Sequence, residues 1–249
     1  MATFEVQVEG LTSLAIDGSS APTQDELTQF LTDGAKEVIN QLPGHLLPLC
    51  AASQTFTSGS AETLVTGKIL NVFRSDGDIN QPCRKIPAKQ KGRVSDPEEM
   101  AYATITDPVF FIDNNSLDVL PSGGSCSYSA VAYPAVAYSA SAITAFPNEA
   151  EHLVVLYGAV KSLQNVLANM DSSIVHSDQD GSYSASSASS QGWEKVRDYI
   201  HSDEDVEISH ASLQALSGEM QQFVAEYQWR EKQQAKLQSD YEKGLQALG

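Results

Sequence analysis

The sequence predicts an α+β protein: a helical bundle with a β-rich insertion between its first two long helices, followed by a long C-terminal helix. Three observations predict it. The stretch ITAFPNEAEHLVVLYGAVKSLQNVLANM, Ile143 to Met170, is apolar around most of a helical circumference. Residues 23–42 have the three- and four-residue apolar spacing of an amphipathic helix. Between these two helices, from about 51 to 134, lie short β-prone runs separated by turn residues.

Residues 1–22 form an N-terminal arm with no assigned element. The first predicted helix starts at Thr23, which with Glu26 fits a capping box. Leu27, Phe30, Leu31, Ala35, Val38, Ile39 and Leu42 form its apolar face, and Pro43-Gly44 stops it. Within the insert the predicted strands are Gln54 to Thr57, Leu64 to Arg74, Val109 to Ile112, Leu117 to Leu120 and Ser127 to Tyr133. Ser75-Asp76-Gly77-Asp78, Asp113-Asn114-Asn115-Ser116 and Pro121-Ser122-Gly123-Gly124 are turn sequences, the last two spaced for a meander. A short helix is expected to begin at Ser95 or Asp96.

The helix from Pro147 to Met170 starts with Thr144 as a cap and with Glu149 and Glu151 on the positive end of the helix dipole. Leu153, Leu156, Tyr157, Val160, Leu163, Leu167 and Met170 form a continuous stripe, with Val154, Val155 and Val166 beside it. Roughly 24 helical residues span about 36 Å, more apolar surface than one chain of this size is expected to cover. Val154, Gly158 and Ala159 are therefore candidates for contact with other helices or other subunits. Residues 171–192, rich in serine, alanine and aspartate, are predicted to be a linker or long loop without a core of its own. In the segment 193–249, Trp193, Val196 and Ile200 suggest a short helix, and Ser209 to Leu248 a long one. Leu213, Leu216, Met220, Phe223, Tyr227, Leu237, Tyr241 and Leu248 make a coiled-coil-like seam interrupted by Arg230, Gln234 and Gly244. Phe223 and Tyr227 are further candidates for helix packing or oligomer contact.

The 249 residues carry 15 basic and 32 acidic side chains, a formal charge of −17, which argues against binding to nucleic-acid phosphates or anionic membranes. No run approaches membrane-spanning length, and the N-terminus lacks a signal-peptide layout, so a soluble cytosolic product is expected. Cys50, Cys83 and Cys126 are far apart and odd in number, which fits buried free thiols better than a disulfide framework or zinc site.

No catalytic, cofactor or metal site is assigned. Glu149 and His152 have the ExxH spacing of di-iron bundles, but no second pair is apparent. Asp178, Asp180 and Gly181 resemble a calcium loop that lacks its bidentate carboxylate. No phosphate-binding glycine pattern or nucleophile elbow occurs. The sharpest anomaly is the run RKIPAKQKGR, where Arg84, Lys85, Lys89, Lys91 and Arg93 reverse the sign of an acidic chain. It is read as an exposed loop that docks on an acidic partner or touches DNA phosphates, docking being favoured because aromatic interleaving is missing, against the alternative of a solvated loop that pairs with the chain's own carboxylates.

The order of elements, with FPNEAEHLVVLYGAVKSL directly after the last strand, resembles the head-to-tail connector proteins of tailed bacteriophages, also called adaptor, neck or head-completion proteins. TQDELTQFLTDGAKEVINQLP, TGKILNVFRSDG and DPVFFI are similar to virion structural proteins of marine and cyanobacterial phages. The resemblance covers roughly residues 20–170. It implies a non-enzymatic subunit of an oligomeric, dodecameric ring beneath the portal protein, without a cofactor, in contact with tail or further neck proteins and with DNA in transit. Its implied place is the virion neck, and the host cytoplasm during assembly. A tail completion or tube-terminator protein is the alternative, and an enzyme with a dispersed hydrolase-type site is a third.

Overall fold

The computed structural model describes residues 2–64, 67–170, 176–178, 181–183 and 206–248, and over these the protein is a mixed α+β chain. The described residues form two compact units. One holds residues up to Val38, Ala135–Ile143 and everything from Asn148 on; the other holds Ile39–Pro134 and Thr144–Pro147.

The helical unit is organised around α4, Asn148–Asn169. Leu153, Val154, Ala159 and Leu163 are completely buried, and so is Ser162, whose hydroxyl donates to the Gly158 carbonyl at 2.8 Å. Three other helices provide the cover. α1, Phe4–Thr12, lays Phe4 and Val8 inward. Its backbone joins the Ala135–Ile143 segment, Phe4 N–H donating to Ala140 O at 2.8 Å and Glu5 N–H to Tyr138 O at 3.0 Å. α2, Gln24–Gln41, buries Leu27, Leu31, Ala35 and Val38. The expected capping box forms: Thr23 N–H donates to Glu26 Oε2 at 2.7 Å and Glu26 N–H to Thr23 Oγ1 at 3.3 Å. The Thr23 N–H, and then the Thr23 hydroxyl at 3.1 Å, hold the Glu26 carboxyl below its ordinary range. The C-terminal helix, α5, runs from Val206 to Leu248.

Glycines set how closely these helices approach. A Cβ at Gly34 would lie 2.8 Å from Tyr157 Cδ1, and one at Gly158 would lie 3.0 Å from Leu31 Cδ2 and 3.7 Å from Val8 Cγ2. A Cβ at Gly244 of α5 would overlap the Leu153 side chain. Gly244 therefore does not interrupt the seam of α5. It is the point where α5 meets α4.

The excess apolar surface expected on α4 is thus covered within the chain. Val154, Gly158 and Ala159 are buried, Gly158 against Leu31 and Val8, so they need no second subunit. A further difference is α1. Its Phe4, Val6 and Val8 alternate as in a strand although Phe4 and Val8 also share a helical face, and nine residues are too few for an isolated helix. Packing on α4 holds it, with Thr3 as cap.

The second unit is a β-sandwich. One sheet has the order β1 (Ala51–Thr57), β8 (Ser125–Val131), β3 (Ile69–Ser75) and β4 (Asn80–Pro82), all antiparallel. The other has the order β2 (Glu62–Thr63), β7 (Ser116–Leu120), β6 (Val109–Asp113) and β5 (Arg84–Lys85), with β5 parallel to β6. Between them lie Leu64, Val72, Phe110, Leu117, Val119, Cys126, Tyr128 and Ala130. A second cluster, Ile86, Val94, Ala103, Val109 and Phe111, covers the outer face of the second sheet. The continuous apolar run of β6 follows from this, since both of its faces are buried.

The turn residues behave as their chemistry demands. Asn114 and Asn115 take φ of 46° and 61° in the β6–β7 hairpin, and Gly77 takes 107° between β3 and β4. The expected meander stops after β7, however. At Pro121–Gly124 the chain crosses to the other sheet, because Cys126, Tyr128 and Ala130 face Leu117 and Val119 across the core instead of lying beside them. The expected strand from Leu64 is also shorter, since pairing of β3 begins at Ile69. The short helix, α3, is Lys91–Ser95 and ends where it was expected to start. Asp96 precedes Pro97, which disfavours helical geometry, and has φ −91° and ψ 115°.

Beyond α4 the described residues include a hairpin, β9 (His176–Asp178) with β10 (Gly181–Tyr183). The rest of the serine-rich segment, Asp180 of the calcium-like run and the short helix expected around Trp193, Val196 and Ile200 lie outside the described residues.

A mid-helix Gly→Ala change ordinarily adds about 1 kcal/mol of stability. Gly10→Ala, where nothing lies within 4 Å of the new Cβ, is expected to follow that rule. Gly34→Ala is expected to lower stability by about 1–3 kcal/mol, because Tyr157 must move. Urea unfolding of the two variants checks the opposite signs.

Candidate interaction surfaces

The long helix α5 divides at Arg230. From there on its seam is covered: Leu237 is buried, and Tyr241 meets Tyr157 edge to face with ring centroids 5.8 Å apart. Gln233 Nε2 donates to the Leu11 carbonyl at 2.7 Å. Burial pushes the Tyr241 hydroxyl far up, and its oxygen has no hydrogen-bond partner. Between Met220 and Trp229, ahead of Arg230, the helix carries exposed apolar side chains. Met220 is 60%, Val224 48%, Tyr227 40% and the neighbouring Trp229 50% exposed, while Phe223 is half-buried. Length explains the division. The 43 residues of α5 run about 64 Å, against about 33 Å for the 22 residues of α4, so α4 cannot cover the whole seam.

In the sandwich unit the basic run is not the loose loop expected. Arg84 and Lys85 form β5, Lys89 lies in a 3-10 turn (Ala88–Gln90), and Lys91 and Arg93 open α3. Three of the five cations pair with carboxylates of the same unit. Arg84 Nη2 lies 3.0 Å from Asp107 Oδ2, Arg93 Nη2 3.3 Å from Glu99 Oε2, and Lys91 Nζ 3.8 Å from Asp118 Oδ2 and 5.1 Å from the Phe111 ring centre. Lys85 and Lys89 are exposed and form no ion pair among the described residues. The local-pairing alternative thus holds for Arg84, Lys91 and Arg93, and the docking reading contracts to Lys85 and Lys89. Next to the run, Met100, Tyr102 and Ile105 are exposed apolar side chains.

The Glu149–His152 spacing gathers no ligand set: no group of three metal-binding side chains occurs among the described residues. His152 instead sits beside α5, its Nε2 3.4 Å from where a Cβ on Gly244 would be. A small cleft brings Ser141, Glu151 and His152 together, the residue types of a nucleophilic triad. Yet Glu151 Oε1 accepts from the Ile143 N–H at 2.8 Å, fixing the entry into α4, and no hydrogen bond among the described residues joins a hydroxyl or thiol to a histidine.

The three thiols are unpaired, Cys50 and Cys126 buried and Cys83 half-buried. Burial pushes all three up, Cys83 to about 12, so they are neutral at physiological pH.

Sequence reasoning missed Arg74. It alternates with Val72 on β3, so its inward direction was readable from the period-two pattern, and it is 4% exposed.

Lys85→Gln with Lys89→Gln is expected to leave unfolding free energy within about 0.5 kcal/mol, since both side chains are exposed and unpaired. The same pair of changes is expected to weaken binding of a labelled oligoglutamate peptide, with the difference vanishing at high salt. Fluorescence anisotropy across a sodium chloride series checks this.

Compared with known protein families the chain matches none, and it matches no curated protein.

Proposed function

We propose that the protein is a structural virion component of a tailed bacteriophage, a connector that forms a ring in the neck and joins the portal to the tail. The observation that carries this reading is the group of exposed apolar side chains on α5 ahead of Arg230. The exposed apolar side chains Met220 and Tyr227 belong to the seam that further along is covered by α4, and Val224 lies beside them. An exposed apolar face of this kind marks a protein contact. Further copies of the chain, the portal and other neck proteins are the partners that the connector reading supplies.

Two other features support it. A bundle of α1, α2, α4 and α5 with a β-rich unit inserted between α2 and α4 is the layout that the connector resemblance implies. The charge of −17 also suits a DNA conduit, because an acidic lumen repels the duplex and lets it slide during ejection. The mechanism is assembly, driven by burial of apolar area and not by bond chemistry. The two four-stranded sheets favour a second reading, a tail completion or tube-terminator protein.

Native mass spectrometry and electron microscopy of the protein mixed with portal are expected to find a closed, dodecameric ring. Val224→Asp with Tyr227→Asp is expected to stay folded and monomeric, since neither side chain belongs to the core. A wild-type chain that remains monomeric beside portal overturns the proposal. Its presence in tailed particles but not in tailless heads decides for the tail-side reading.

A further inference from the structure

Arg74 is a buried cation with no ion-pair partner among the described residues. Its guanidinium cannot lose its charge in a protein, and a charge taken out of water without a partner is costly. No ion pair among the described residues includes Arg74, and its Nη1 is buried without a hydrogen-bond partner. The nearest charges do not solve the problem. Cys83 and Cys126 feel the Arg74 charge but are held protonated by burial. Asp76 feels it too, yet its carboxylate is exposed and engaged by the Asp78 and Ile79 amides at 3.1 and 3.0 Å. Asp118 faces Lys91.

The guanidinium is nevertheless held in place. Arg74 Nε donates to the Pro121 carbonyl at 3.0 Å, and a Cβ on Gly124 would lie 2.8 Å from Cζ and Nη2, so only glycine leaves room for it. Arg74 lines a cleft of about 440 Å³ together with Tyr102, Thr104, Ile105, Thr106 and Ser122. Thr104 Oγ1 and Thr106 Oγ1 stand 3.1 Å apart, and either hydroxyl can donate. The cleft therefore combines a fixed, permanently charged donor with neutral donors and an apolar rim, since Tyr102 and Ile105 are exposed.

We propose that this cleft binds one carboxylate, an aspartate or glutamate side chain of a protein partner, on Arg74, with Tyr102 and Ile105 taking the flanking residues. A carboxylate is favoured over a phosphate because a chain of charge −17 repels a dianion more strongly than a monoanion, and because the apolar rim has nothing to contact on a free ion. The site stands apart from the connector reading, since an acidic segment of any partner satisfies it.

The test is a titration of the whole chain, labelled with ¹⁵N at arginine, with sodium acetate, inorganic phosphate and sodium chloride at constant ionic strength. The Nε–H signal of Arg74, assigned by its loss in Arg74→Lys, is the readout. Acetate is expected to give a saturable shift of that signal alone, with phosphate weaker and chloride without effect. Arg74→Lys, if its circular dichroism is unchanged, is expected to bind acetate about tenfold more weakly in calorimetry, because an ammonium loses the placement that Pro121 and Gly124 give the guanidinium. The wild-type titration decides even where that variant fails to fold. Tighter saturation by phosphate, equal linear shifts with all three anions, or no shift at all overturns the proposal.

Discussion

The burial of α4 on nearly every side is the constraint on which the helical unit depends. A helix with Leu153, Val154, Ala159 and Leu163 all inaccessible must be enclosed, and α1, α2 and α5 enclose it. Close approach is achieved by removing side chains: Gly34 admits Tyr157, Gly158 admits Leu31 and Val8, and Gly244 admits Leu153. Each of these glycines weakens its own helix by about 1 kcal/mol relative to alanine. The burial it permits offsets that loss, since a fully buried aliphatic or aromatic side chain contributes about 1.5–3 kcal/mol.

From that enclosure comes the one large asymmetry of the helical unit. α4 is about half as long as α5, and the described seam side chains of α5 are covered from Arg230 on, while Met220, Val224 and Tyr227 are exposed. The covered half is organised by aromatic and backbone contacts, Tyr241 on Tyr157 and Gln233 on Leu11. Arg230 stands at the junction, tied to Glu226 at 2.7 Å.

In the sandwich unit the governing quantity is charge. The basic run opposes the field of an acidic chain, and the fold answers most of it locally through Asp107, Glu99 and Asp118. These exposed pairs contribute little to stability, about 0–1 kcal/mol each, but they cancel the field that the run would otherwise project. Arg74 differs because it is buried, and burial turns an unmatched charge from a solvation matter into a binding opportunity.

Local chemistry made much of this legible. The capping box of Thr23 and Glu26, the paired asparagines at 114 and 115, the limits of α2 and α4, and the largely apolar α4 all follow from residue type and spacing, which report short-range geometry and the face that must leave water. Other features required the tertiary structure, because they depend on residues far apart in sequence. α1 exists only by packing on α4, the crossing of the chain after Leu120 depends on which face Cys126 must cover, and Gly244 reads as a break in the seam until Leu153 is placed against it. The sequence determined by itself that α4 must be enclosed; the tertiary structure decided that its own chain encloses it, because contact partners, unlike period and charge, are not a local property.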